Sequence, residues 1–139
     1  MLKNIPAIIS PDLLHALSSM GHGEEILFAD ADFPAGSCRA KIIRMDGLLI
    51  EDLLEAVLPF FPLDSFVEHP VITMDCSQWG PEPESYERYR KVIRKTEENF
   101  TDFEFLERFA FYEQASKSSV IVVTSEPDGN VILKKGPVM

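Results

Sequence analysis

The sequence is poor in positive charge. It has 13 Lys and Arg residues against 23 Asp and Glu residues, which gives a formal net charge of -10 at pH 7. The acidic residues are spread along the chain, so most of its surface repels phosphate backbones and anionic membranes. We therefore expect neither a nucleic-acid nor a membrane partner, whereas this charge does not exclude a neutral ligand such as a sugar.

Cysteines and long apolar runs are also scarce. Cys38 and Cys76 are the only cysteines and form no C-x-x-C pair, which is typical of a protein in a reducing compartment. Residues 1–10 are too short and too interrupted to serve as a signal-peptide core. The most apolar stretch, residues 53–63, contains Glu55 and two prolines, so we expect no membrane span and a cytoplasmic location.

The common nucleotide-binding and hydrolase motifs are missing as well. The chain contains no G-x-G-x-x-G, no P-loop and no G-x-S-x-G sequence. Nucleotide cofactors and serine hydrolysis are therefore unsupported, and a cofactor-independent function is expected.

What the chain does have is enough apolar material for one core. Its 139 residues are 45% hydrophobic, which predicts a single domain over residues 1–139. Apolar spacing and turn residues predict helices over 11–20, 50–58, 84–98 and 109–117, and strands over 25–29, 41–44, 71–74, 104–106, 119–124 and 131–133. Strands that alternate with helices indicate a layered α/β domain, with a mostly parallel or mixed sheet flanked by helices. Gly21 is expected to end the first helix in a left-handed conformation.

His22 is the first candidate for chemistry because it lies between Gly21 and Gly23. Imidazole ordinarily titrates near neutral pH and suits general acid–base catalysis. Ligands of α/β sheets bind beyond the carboxyl ends of strands, a rule that points to Asp30 and to the loops at 21–24 and 125–130. The alternative is that His22 is a plain loop histidine whose neighbouring glycines only end the helix.

Other polar residues have weaker claims. Asp30 and Asp32 together with His22 are acceptable cation ligands, but their spacing matches no metal motif and no metal site is predicted. Arg108 offers a planar set of donors for a carboxylate or for sugar hydroxyls, although an ion pair with the adjacent Glu107 is the simpler interpretation.

Several segments together resemble the L-fucose mutarotases. They are Ile9-Ser-Pro-Asp-Leu-Leu14, Met20-Gly-His-Gly23, Phe28-Ala-Asp-Ala31, Phe33-Pro-Ala35, Ile43-Arg44, Asp46-Gly-Leu48, Asp52-Leu-Leu-Glu-Ala56, Leu63-Asp64, Arg108-Phe-Ala-Phe-Tyr-Glu113 and Asn130-Val-Ile-Leu-Lys-Lys-Gly136. Only residues 65–105 match poorly. D-ribose pyranase is a more distant relative that shares the fold.

The resemblance implies an isomerase that exchanges the α and β anomers of a pyranose, typically L-fucose, without a cofactor. It implies that His22 is the proton donor and that Asp30, Arg108 and Asn130 bind the monosaccharide. It also implies a ring-shaped homo-oligomer, usually a decamer, with sites close to subunit contacts.

One loop departs from the family pattern. The family has a tyrosine in a Y-G-N sequence where this chain has Asp128-Gly-Asn130, and a carboxylate cannot donate a hydrogen bond as a phenol does. Gln114 in place of Arg and Ser125 in place of Gly are milder departures. Asp128 either pairs with Arg108 or acts as a base, or it changes the sugar preference, or it leaves a protein that binds sugar without turnover. A non-catalytic sugar-binding oligomer is thus the alternative function, and a scaffold without a ligand is a third.

Overall fold

The computed structural model describes residues 1–138. Its helices are α1 (Pro11–Ser19), α2 (Ile50–Val57), α3 (Glu84–Thr96) and α4 (Arg108–Ser116), with a short 3₁₀ turn at Ala35–Ser37. Its strands are β1 (Glu25–Ala29), β2 (Lys41–Arg44), β3 (Val71–Met74), β4 (Glu104–Leu106), β5 (Val120–Val123) and β6 (Val131–Lys134). Each helix and strand expected from the sequence is present, with ends shifted by at most two residues.

The six strands form one mixed sheet in the order β2-β5-β1-β6-β3-β4. β1 pairs in parallel with β5, β5 with β2, and β3 with β4, whereas β6 runs antiparallel to both β1 and β3. Five strands therefore end at one edge of the sheet, which we call the carboxyl edge, and β6 begins there. The predicted layered α/β fold is confirmed.

Strand residues alternate between two cores because successive side chains point to opposite faces of the sheet. One face, which includes Phe28 and Val122, packs against α1, α2 and α3. The other face, which includes Leu27 and Ile121, packs against Phe111 and Ala115 of α4. The sheet is thus covered on both faces, and every residue of its central strands β1 and β5 is buried.

Local signals in the sequence account for the start of α1. Ser10 caps α1 by accepting a hydrogen bond from the Leu13 amide, and Pro11 occupies the first helical position. The glycine expectation was wrong: Gly23, not Gly21, adopts positive φ (86°), and it turns the chain into β1. Within residues 1–138, no helix combines the length and the apolar composition needed to cross a bilayer.

Candidate active site

His22 is held beside a buried carboxylate. Gly23 N–H donates to the Lys135 carbonyl oxygen (2.8 Å), and Asp64 N–H donates to the Lys134 carbonyl oxygen (3.0 Å). These backbone bonds fix both loops against the end of β6, where His22 Nε2 lies 3.1 Å from Asp64 Oδ1. A histidine and an aspartate that are far apart in sequence thereby become a hydrogen-bonded pair.

The environment of Asp64 favours its ionised form. Burial alone raises the pKa of Asp64, but the hydrogen bond from Phe66 N–H (3.0 Å) and the contact with His22 outweigh it, so the net effect lowers the pKa. An ionised Asp64 accepts a hydrogen bond from the Nε2–H group of His22, which leaves Nδ1 as the ring nitrogen free to face a ligand. The His22 side chain is 46% exposed while that of Asp64 is 4% exposed. A buried carboxylate thus orients an imidazole that solvent and ligands can reach.

Phe66 lies next to this pair. Its ring centroid is 5.3 Å from that of His22, and 68% of the residue is exposed. Burying this exposed phenyl group against a ligand or a partner would be favourable.

A second polar pair lies at the carboxyl edge. Asp30 follows β1 and Asn130 precedes β6, so the antiparallel pairing of these strands brings the two residues together. Asp30 N–H donates to Asn130 Oδ1 (2.9 Å), and Asn130 Nδ2 donates to Asp30 Oδ2 (3.0 Å). Asn130 is nine-tenths buried, so the amide is fixed and the orientation of the Asp30 carboxylate is fixed with it.

Two effects make the Asp30 carboxylate harder to ionise. Partial burial raises its pKa, and the negative charge of Asp128 adds to this increase. Hydrogen bonds from Gly129, Asn130 and Asp32 oppose the increase without cancelling it. Asp30 is therefore a hydrogen-bond acceptor of raised basicity at the rim of the sheet.

Asp128 is exposed, and its backbone carbonyl accepts a hydrogen bond from Ser85 Oγ (2.7 Å). Within residues 1–138, no ion pair joins Asp128 to Arg108. The interpretation in which Asp128 pairs with Arg108 is therefore wrong for the single chain.

Arg108 begins α4 and has no carboxylate partner in the described part of the chain. Glu107 caps the helix instead, because its carboxylate accepts from the Phe109 and Ala110 amides. The Arg108 guanidinium lies 5.5 Å from the Phe109 ring centroid and 5.6 Å from that of Tyr112. It is exposed, so its donors are available to a ligand.

The two polar pairs lie at opposite edges of the sheet. His22 precedes β1 and Asp30 follows it, and the five residues of that strand span roughly 16 Å at about 3.3 Å per residue. The expectation that the 21–24 loop lies beyond the carboxyl ends of strands was therefore wrong: it lies at the amino end of β1. The alternative in which His22 and Asp30 share a cation within one chain fails for the same reason.

The remaining candidates lie on the Asp30 side. Asn130, Asp128 and Arg108 all belong to loops or helix starts at the carboxyl edge. Asp64 was not singled out as a candidate, and its only sequence signal was the Leu63-Asp64 match within the family resemblance.

Residues 3–138 match the RbsD / FucU transport protein family. The chain belongs to the RbsD/FucU family. The resemblance to fucose mutarotases is thus confirmed at family level, since the match spans nearly the whole sequence.

Solved structures of this family are similar along their whole length. FucU from Bifidobacterium longum is 38% identical with a TM-score of 0.93, and the alignment covers 99% of this chain and 100% of that one. The fucose mutarotase from Streptococcus pneumoniae, solved in complex with L-fucose, is 42% identical with a TM-score of 0.90 and the same coverage. RbsD from Bacillus subtilis, solved with D-ribose, is 20% identical with a TM-score of 0.75 over 100% of both chains, and this likeness shows the shared fold.

Proposed function

We propose that this protein is a cofactor-independent monosaccharide mutarotase that exchanges the α and β anomers of L-fucose or a similar pyranose. The observation that carries the proposal is the half-exposed His22 imidazole, held by the buried Asp64 carboxylate. The similarity to a fucose mutarotase over the whole chain supports the substrate class.

His22 acts as the proton donor. As the bond between the anomeric carbon and the ring oxygen breaks, the anomeric hydroxyl loses its proton, a carbonyl forms, and His22 protonates the ring oxygen through Nδ1. Asp64 holds the other proton on Nε2 and stabilises the positively charged His22 imidazolium before it donates from Nδ1. Asp64 is thus a positioning residue. A second polar group, directly or through a water molecule, accepts the hydroxyl proton. Closure on the other face of the carbonyl reverses both transfers.

The residues at the carboxyl edge bind the sugar. Asp30 accepts hydrogen bonds from hydroxyl groups, Arg108 donates to hydroxyl oxygens, and Asn130 fixes the Asp30 carboxylate. Asp128 adds a second acceptor where relatives have a donor, so the preferred sugar presents a hydroxyl hydrogen to it.

A complete site takes residues from two copies of the chain. The His22–Asp64 pair and the Asp30–Asn130 pair are separated by the length of β1, which is too far for one sugar ring to contact both. The proposed closed homo-oligomer brings the opposite edge of one copy, where β1 begins and which we call the amino edge, against the carboxyl edge of the next. Phe66 and Phe109, which are exposed in the single chain, would be buried at this contact. A ring of this kind, for which the family resemblance implies a decamer, contains one site per subunit contact.

A second function is favoured by one observation. Asp128 removes the donor that a family tyrosine supplies, so a protein that binds a monosaccharide without accelerating its mutarotation is the alternative.

The test compares His22→Ala with a matched histidine variant, His15→Ala. His15 is an exposed residue of α1, outside the proposed site. Saturation-transfer NMR on the anomeric protons should show that His22→Ala abolishes the acceleration of exchange while part of the sugar binding survives, and that His15→Ala behaves like wild type. Acceleration at the wild-type rate by His22→Ala would exclude His22 as the acid.

A further inference from the structure

A buried carboxylate lies directly behind the Asp30 loop and has no part in the chemistry described above. Glu126 is 2% exposed, and its Oε1 accepts a hydrogen bond from Tyr89 Oη (2.6 Å). Arg88 Nη2 lies 3.4 Å from the same oxygen, a weaker contact. Burying a charge is costly unless it is paired and hydrogen-bonded, so the partners of Glu126 are important for the structure around it.

Glu126 belongs to the loop that carries the proposed sugar ligands. Its backbone carbonyl accepts from Ala31 N–H (2.9 Å), immediately after Asp30. Its amide donates to Thr124 Oγ1 (3.1 Å), which ties the start of the loop to the end of β5. The side chain of Glu126 thus faces α3 while its backbone holds the segment that follows β1.

Helix α3 contacts the same loop at two further points. Ser85 Oγ donates to the Asp128 carbonyl oxygen (2.7 Å). Gly129 passes so close to the Tyr89 phenol that a Cβ at this position would overlap its oxygen. The loop therefore rests on Ser85 and Tyr89, and only a glycine fits where it crosses them.

The Tyr89 hydroxyl stays protonated and so remains a hydrogen-bond donor to Glu126. Burial raises the pKa of Tyr89 far above its usual value, and the Glu126 carboxylate raises it further, so the hydroxyl stays protonated. A hydrogen bond to a charged acceptor is about twice as strong as a neutral one. Loss of this single hydroxyl leaves the Glu126 side chain with only the two longer contacts to Arg88 Nη2, at 3.4 and 3.5 Å.

We propose that Tyr89 and Ser85 of α3, acting through Glu126 and the Asp128 carbonyl, are positioning residues that hold the 125–130 loop and with it Asp30 and Asn130 in the geometry that binds sugar. The effect on sugar binding rests on the proposed function, whereas the effect on the loop does not. The segment 65–105, where the family resemblance is weakest, thereby contains an element that tunes the site.

The test uses Tyr89→Phe, which removes the hydroxyl alone, and Tyr86→Phe as its matched control. Tyr86 is buried on the same helix, but its phenol donates to the Met74 carbonyl oxygen (2.9 Å) and not to the loop. Ser85→Ala is a milder second variant, should Tyr89→Phe fold poorly.

Two readouts are measured on the full chain in its native oligomer. For whichever of L-fucose, D-ribose and D-galactose the wild type exchanges, Tyr89→Phe should raise KM about fivefold or more while kcat changes by less than about twofold. Peptide-resolved hydrogen–deuterium exchange should be faster at residues 125–131 and 30–33 in Tyr89→Phe and in Ser85→Ala. Tyr86→Phe should change neither readout, even where it lowers Tm.

Each outcome decides one of the two claims. Equal effects of Tyr89→Phe and Tyr86→Phe on KM and on loop exchange would overturn the positioning role and leave ordinary stabilisation. A wild type that accelerates the exchange of none of the three sugars would contradict the proposed mutarotase, and hydrogen–deuterium exchange at residues 125–131 would still decide whether α3 holds the loop.

Discussion

The proposed site, which two neighbouring copies would share, predicts that two inactive variants restore activity when they are expressed together. His22→Ala removes the proposed acid from the amino edge, and Asp30→Ala removes the proposed sugar acceptor from the carboxyl edge. Because β1 separates these positions by roughly 16 Å, each variant keeps one intact half of the site. Under the proposal, an oligomer of either variant alone contains no complete site.

The expected recovery follows from random mixing. In an oligomer that contains equal amounts of both variants, a given contact has an intact His22 half with a probability of one half and an intact Asp30 half with the same probability. Co-expressed variants should therefore regain about a quarter of wild-type activity per subunit contact. Each variant expressed alone should remain inactive.

The assay is co-expression with two different affinity tags, followed by purification on both tags and saturation-transfer NMR on the anomeric protons. Oligomer size is checked by light scattering, so that a change in assembly is not mistaken for a change in activity. A doubly tagged oligomer with no more activity than its parents would refute the shared site. His22 and Asp30 would then belong to different functions or act within one copy.

Three further outcomes follow from the same structure. Asp64→Asn keeps an acceptor for His22 but removes the negative charge, so kcat should fall about tenfold. Folding lowers the pKa of Asp64, so its charge stabilises the fold above about pH 4, and this stabilisation is lost as pH falls through the lowered pKa. Calorimetry should therefore show that the difference in Tm between Asp64→Asn and wild type shrinks in acid. Asp128→Asn removes a negative charge that raises the pKa of Asp30. When sugar affinity is measured against pH, its fall in acid should therefore occur at lower pH than in wild type. An unchanged pH profile would mean that Asp30 does not bind sugar as a carboxylate. Phe111→Ala empties a fully buried site beneath α4 and should cost about 3–5 kcal/mol of unfolding free energy by denaturant titration, and a loss below about 1 kcal/mol would show that the packing there is loose.

The fold was largely predictable because its signals are local. β1 and β3 have the predicted limits because each is a short apolar run bounded by turn residues or prolines. The antiparallel direction of β6 was not predictable, since its pairing with β1 and β3 depends on contacts between residues far apart in sequence. The burial of Tyr86 and Tyr89 agrees with the sequence as well, since both lie on the apolar side of a helix whose other residues are mostly charged.

The candidate site was predictable as a set of residues but not as an arrangement. His22 and Asp30 both have a sequence rationale, and a five-residue strand between them was itself a signal that they lie at opposite edges of the sheet. Asp64 had no such rationale, because a carboxylate in a loop becomes the partner of a histidine only through backbone bonds that tie both loops to the end of β6.

The most direct test of the proposed function is saturation-transfer NMR on the anomeric protons of L-fucose, with D-ribose and D-galactose alongside, with and without the wild-type protein. We predict faster exchange between the α and β anomers of L-fucose or a similar pyranose when the protein is present. Binding of these sugars without any acceleration would contradict the mutarotase and establish the non-catalytic sugar-binding protein in its place.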